Sequence, residues 1–126
     1  MPLIHIQTSA PFPADPALFM AELSRQLAFC LGKPENSVMC LLRAEQLMVL
    51  GSDDAPCAYV AIKSIGGLDG DRPRHLSAIV SDLLSAHLAL RPERVYIGFE
   101  EVRADLWGWD GSTWLHRSDE LSRTDD

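Results

Sequence analysis

Gly32-Lys33-Pro34-Glu35-Asn36-Ser37-Val38-Met39-Cys40-Leu41-Leu42 stops a helix and starts a strand, and Arg91-Pro92-Glu93-Arg94-Val95-Tyr96-Ile97-Gly98-Phe99 does the same later in the chain. Gly32 supplies a left-handed helix stop and Pro34 prevents continuation; Arg91-Pro92 acts likewise. Before the first break, Phe19, Leu23, Leu27, Cys30 and Leu31 fall on one helical stripe, opened by Asp15-Pro16. Before the second, Leu76, Ile79, Val80, Leu83, Leu84 and Leu88 do so, opened by Asp71 and Pro73. A short apolar strand precedes each helix, over 2–7 and 57–65. The order β-α-β therefore occurs twice. Tandem βαβ units with right-handed crossovers give an α/β fold: a mixed four-stranded sheet with two helices on one face. The other face carries apolar strand residues and needs a cover, and a further copy of the chain is the economical one. Short extra strands are expected at Leu47-Met48-Val49-Leu50 and in a hairpin over Trp107-Gly108-Trp109-Asp110-Gly111-Ser112-Thr113-Trp114, with Asp-Gly at its turn.

The chain has 126 residues, 47% of them apolar and 23% charged, with a net charge of -7. One globular domain accommodates that length. The acidic balance argues against nucleic acid and anionic membrane as partners, since both want a basic face. Some of the acid lies in Ser118-Asp119-Glu120-Leu121-Ser122-Arg123-Thr124-Asp125-Asp126, which reads as a solvated, disordered tail from 116. No basic-then-apolar leader and no membrane-length apolar run is present, so a cytoplasmic protein is expected, with leaderless secretion as the variant. Cys30, Cys40 and Cys57 lack metal-ligand spacing and read as reduced thiols; neither a metal nor any cofactor is expected.

Met1-Pro2-Leu3-Ile4-His5-Ile6 is a strand on its face and a catalyst at its edge. Removal of Met1 leaves proline's secondary amine at the start of a buried strand. Such an amine abstracts a proton from carbon only when neutral. An α-amino group ordinarily titrates at about 7.7–8.0, and apolar burial or a neighbouring cation lowers that value.

Over residues 2–115 the sequence resembles the macrophage migration inhibitory factor and D-dopachrome tautomerase family of the tautomerase superfamily. The segments that carry the likeness, in order, are Met1-Pro2, Gly32-Lys33-Pro34, Glu45-Gln46-Leu47-Met48, Pro56-Cys57-Ala58, Ser64-Ile65-Gly66, Arg94-Val95-Tyr96-Ile97, Gly108-Trp109 and Ser112-Thr113. The resemblance implies a tautomerase-like domain over 1–115, followed by the tail 116–126. It implies a homotrimer with active sites at subunit boundaries and keto-enol tautomerase activity toward phenylpyruvate-like α-keto acids. Pro2 falls at the family's general base. Lys33 falls at the lysine that holds the substrate carboxylate, and Ser64 and Ile65 at a substrate-contacting strand end. Tyr96 falls at an aromatic position given by the neighbouring subunit. Trp109 falls at a cleft-lining tryptophan, with Trp107 and Trp114 replacing other cleft residues. Read alone, Pro2 is a strand-start residue, Lys33 a surface lysine near a helix end, Ser64 an ordinary strand end, and Tyr96 and Trp109 packing residues; only the likeness gives them roles.

The departures bear on substrate. Gly98 stands where the family has a substrate-binding asparagine, Lys63 replaces a histidine, and Ser37 replaces a rim tyrosine. Phe12 stands where a dehalogenase or decarboxylase branch would use an arginine. Cys57-Ala58-Tyr59-Val60 lacks the second thiol of a C-x-x-C, which removes a dithiol oxidoreductase role. The alternative reading is a cytokine-like binding protein of the same fold with little or no catalysis, which would engage a receptor if secreted.

Overall fold

Strand β1 (Pro2–Thr8) alternates strictly: Pro2, Ile4, Ile6 and Thr8 are buried, while Leu3, His5 and Gln7 are half-buried on the other side. In the computed structural model, which describes residues 1–124, β1 lies inside a four-stranded mixed sheet. Strand β2 (Met39–Arg43) pairs parallel to it on one side and β3 (Ala58–Ser64) antiparallel on the other; β4 (Val95–Glu101) runs parallel to β3. The order is β2-β1-β3-β4, as two βαβ units laid side by side require.

Helices α1 (Pro16–Leu31) and α2 (Arg72–Leu88) cover one face. Their stripes, Phe19, Leu23 and Leu27 from α1 and Leu76, Val80 and Leu84 from α2, meet Ile4, Ile6, Val60 and Ile62 in one core. Each of these side chains contributes about 1.5–3 kcal/mol by leaving water. Asp15 caps α1 by accepting the Leu18 N–H at 3.0 Å, and Gly32 ends it at φ 65. The second repeat is less well finished. Asp71 caps nothing with its side chain, and Ala89, an L residue, takes the left-handed stop at φ 54.

The opposite face is bare. Met39 and Leu41 from β2, Tyr59 from β3 and Tyr96 from β4 are exposed there, and the buried Nε2 of His5 has no hydrogen-bond partner. The repeat reading is therefore correct, including its unpaired face.

Two local expectations differ. Residues 47–50 form no strand; Leu50 makes an isolated bridge with Asp53. Left-handed backbone at Glu45 (φ 59) and Ser52 (φ 63) breaks extension at both ends. The Arg94 guanidinium draws in the carbonyls of Leu50, Asp53 and Ala55 at 2.8, 3.0 and 2.7 Å, which holds this stretch as a loop. The hairpin forms, from β5 (Gly108–Trp109) and β6 (Ser112–Thr113), with Asp110 at φ 53 and Gly111 at φ 71 as a primed turn demands. Trp114, however, leaves the hairpin and begins helix α3 (Trp114–Thr124), where a disordered tail from 116 was expected. Thr113 caps it by accepting the His116 N–H at 3.3 Å, and Glu120 pairs with His116 and Arg117 at 3.0 and 2.9 Å. These local interactions outweigh the acidic composition that suggested fraying. Asp125 and Asp126 of the expected tail lie outside the described residues. Among the described residues no helix is long and apolar enough to cross a membrane.

Candidate active site

β1 starts where β3 ends. Pro2 and Ser64 are register partners, so both side chains sit on the helix side of the sheet at the same edge. α1 also ends there. Its stop at Gly32 leaves Lys33 free to turn back over the sheet, and Lys33 Nζ donates to the Ile65 carbonyl at 3.0 Å. One hydrogen bond thus ties the helix exit to the strand exit beside the chain's first residues.

The hairpin and α3 close the other side. Trp107, Trp109 and Trp114 line a cleft of about 760 Å³ together with Met1, Pro2 and Lys33. Trp109 and Trp114 meet edge to face with ring centroids 5.6 Å apart. The cleft is an apolar, aromatic space with a cation and an amine at its wall. The chain's terminal ammonium, carried by Met1, titrates below its ordinary 8.0, first because burial strips its water and second because Lys33 repels it. Both effects belong to the place, and both favour a neutral nitrogen.

The expected site residues divide into three groups. Pro2, Lys33, Trp107, Trp109 and Trp114 all line the cleft. Ser64 and Ile65 do not line it but adjoin residues that do: Ile65 accepts from Lys33, and Ser64, register partner of Pro2, is fully buried with an unpartnered hydroxyl. Tyr96 is not brought to the cleft of its own chain; it stands 62% exposed on the bare sheet face, beside its register partner Tyr59.

The departures also find places. Lys63 points to the bare face, 3.7 Å from Glu100, and adds no charge to the cleft. Gly98 lies under Tyr59, and a Cβ there would stand 3.2 Å from the Tyr59 hydroxyl, so an alanine at 98 would need that hydroxyl to give by a few tenths of an ångström. Ser37 lines the rim, whereas Phe12 is exposed elsewhere. The Cys40 thiol is pushed up to about 11, by burial first and Glu35 second, which makes it a poor nucleophile.

Sequence reasoning missed Met39 and Leu121, both cleft-lining. Leu121 had a readable signal: it lies two helical turns from Trp114 on the same face, behind a threonine cap.

The chain matches the family model of macrophage migration inhibitory factor (MIF) over residues 1–115. Among curated proteins it is 36% identical over 113 residues to macrophage migration inhibitory factor of Mus musculus, covering 90% of this chain and 98% of the mouse protein. Among solved structures it is similar to the macrophage migration inhibitory factor homologue from Prochlorococcus marinus, with TM-score 0.87 and 46% identity over 89% of this chain and 98% of that one. It is also similar to macrophage migration inhibitory factor from Oncomelania hupensis, with TM-score 0.84 and 25% identity over 98% of this chain and 92% of that one.

Proposed function

Because the chain belongs to the macrophage migration inhibitory factor family, we propose that it is a keto-enol tautomerase acting on phenylpyruvate-like α-keto acids, with the nitrogen of Pro2 as general base once Met1 is removed. The observation that carries this reading is the amine-neutralising corner: a buried strand start, Lys33 beside it, and three indoles across from it.

The steps follow from that arrangement. The substrate carboxylate is held by Lys33, and its aryl group lies among the tryptophans. Neutral Pro2 nitrogen takes a proton from the carbon next to the carbonyl as the electron pair moves into the new carbon–carbon double bond. The carbonyl oxygen takes a proton from water and becomes the enol hydroxyl, and the hydroxide left behind takes the proton from Pro2, which is then neutral again. The reverse direction returns the Pro2 proton to carbon. Ser64, the register partner of Pro2, keeps a buried unpartnered hydroxyl, and this supports reading it as the polar group of the Pro2 corner. The bare sheet face supports assembly as a homotrimer, with Tyr96 of each chain offered to a neighbour's cleft.

Pro2→Gly retains a free amine but weakens and loosens the base. Phenylpyruvate tautomerisation by the processed protein should fall on the order of 10²-fold, within the range a positioned base supplies. An unchanged rate refutes the proposal. Intact mass accompanies the assay, because with Met1 attached the Pro2 nitrogen is an amide and the cytokine-like binding reading then stands.

A further inference from the structure

The family match ends at Leu115, inside the first turn of α3, yet the cleft continues beyond it to Leu121. Trp114 and Leu121 are seven residues apart on one helix, hence on one face, and both line the cleft. Between them Arg117 and Ser118 are half-buried on the same side, while Leu115, His116 and Asp119 point to solvent. One side of the helix thus turns Trp114, Arg117 and Ser118 inward, with Leu121, 53% exposed, at the mouth of the cleft.

Its position is fixed at several points. The Trp114 N–H donates to the Trp107 carbonyl at 2.8 Å, so α3 leaves the hairpin at a set angle. Arg117 then pins the next turn: Nη2 donates to the Asp110 carbonyl at 3.0 Å, Nε lies 3.5 Å from the Asp110 carboxylate, and Nη1 donates to Glu120 at 2.9 Å. Arg117 is thus a clamp between the hairpin turn and the helix, and Leu121 is carried to the cleft one turn beyond it.

We propose that α3 is the specificity wall of the cleft: Leu121, set in place by Arg117, fixes the size of the aryl group that the site admits. The inference rests on reading the cleft as a site for aryl acids and adds which residue limits the aryl group. A hydrophobic wall discriminates by fit, and one extra or missing methylene is worth roughly 10–200-fold in such a site. Leu121→Ala should open it, and Leu121→Trp should narrow it. Arg117 acts through Leu121 and is a positioning residue.

All three tryptophans of the chain line the cleft, so intrinsic fluorescence reports its occupancy without any turnover. The full-length protein is titrated with 3-phenylpropionate and with its bulkier 4-tert-butyl derivative, neither of which can tautomerise. In Leu121→Ala the affinity ratio should shift about tenfold toward the bulkier acid; in Leu121→Trp it should shift the other way. Arg117→Met should lose most of the discrimination with little change in affinity for the small acid, and Arg117→Lys should recover part of it. Far-UV circular dichroism confirms that α3 remains helical in each variant. Ratios within twofold of the parent in both Leu121 variants overturn the wall. Failure of the parent protein to bind either acid overturns both the wall and the aryl-acid reading beneath it. Binding with the expected ratios but no tautomerase activity leaves the wall in place and refutes only the proposed reaction.

Discussion

Replacing Lys33 by methionine keeps the length and apolar stem of the side chain and removes its charge, so three consequences can be separated. The first is structural. The charged hydrogen bond to the Ile65 carbonyl, 3.0 Å long and only partly buried, is worth about 1 kcal/mol. Its loss should lower Tm by about 4 °C in a domain of this size. The second concerns the terminal amine. Burial remains, but the Lys33 repulsion that adds to it is gone, so the amine's pKa should rise part of the way back toward 8.0. The acid limb of the kcat/KM profile for the processed protein should therefore move to higher pH. Stability follows with a definite sign. The folded amine binds its proton more weakly than the unfolded one, so the unfolded chain holds more protons between the two pKa values and stability rises with pH through that window. Lys33→Met narrows the window.

The third consequence is recognition. Opposite unit charges at about 4 Å in a partly exposed site attract by about 4 kcal/mol before desolvation is subtracted. A net loss of about 1.5–3 kcal/mol remains, which is ten- to hundredfold in kcat/KM for phenylpyruvate. The methyl ester, which has no carboxylate, should fall by less than about threefold, a loss of well under 1.4 kcal/mol. The assay is initial-rate tautomerisation of acid and ester, side by side, across pH. Equal losses for the two substrates would show that Lys33 does not hold the carboxylate. An acid limb that stays put would show that it does not tune the amine.

Three further outcomes follow from single side chains. Arg94→Lys cannot reproduce a fork that reaches the carbonyls of Leu50, Asp53 and Ala55, because a lysine donates from one point; thermal unfolding should drop by about 6–8 °C, for about 2 kcal/mol lost. Ala89→Gly relieves an L residue held at φ 54 and should raise stability by about 0.5–1 kcal/mol in a urea melt, with the slope unchanged. Cys40, with its thiol pushed up to about 11, should be nearly inert to alkylation at pH 8, and its rate should climb roughly 100-fold by pH 10 as the thiolate fraction grows; peptide mapping by mass spectrometry resolves it from Cys30 and Cys57.

Much of this architecture was written in local chemistry. Gly32 and Pro34 end one helix, Arg91 and Pro92 follow the other, and paired stops with paired strands leave few ways to arrange four strands. Asp110-Gly111 announced its turn equally directly, since two successive left-handed residues need that pair. The misses have two physical sources, and the first is a contact distant in sequence. Residues 47–50 have strand composition, but Arg94 holds their loop, and nothing near 47–50 discloses Arg94. The side on which Lys63 falls, which the residues left open, is set by strand parity: it lies on the bare face with Glu100, away from the cleft. α3 was hidden for a different reason. Its acidic composition suggested a tail, while its cap, its Arg117–Glu120 pair and its Trp114–Leu121 spacing all specify a helix. Composition averages over a segment, whereas helix formation depends on which residues occupy the cap and one face.

The position of Met1 joins the fold to the chemistry. Met1 lines the cleft beside Pro2 and carries the amine whose charge the site disfavours. Excising it does two things at once: it transfers the free nitrogen to Pro2, one residue deeper in the strand, and it removes an apolar side chain from the space among the tryptophans. Pro2 is buried at the strand start, and the two influences that lower the Met1 nitrogen, burial and the charge of Lys33, belong to the cleft wall beside it. Its distance from the end of β3 does not depend on the processing step, because the ladder fixes Pro2 opposite Ser64 whether or not a residue precedes it. On the proposed reading, cleavage of one peptide bond would unmask the base beside a lysine that the end of α1 already holds in place.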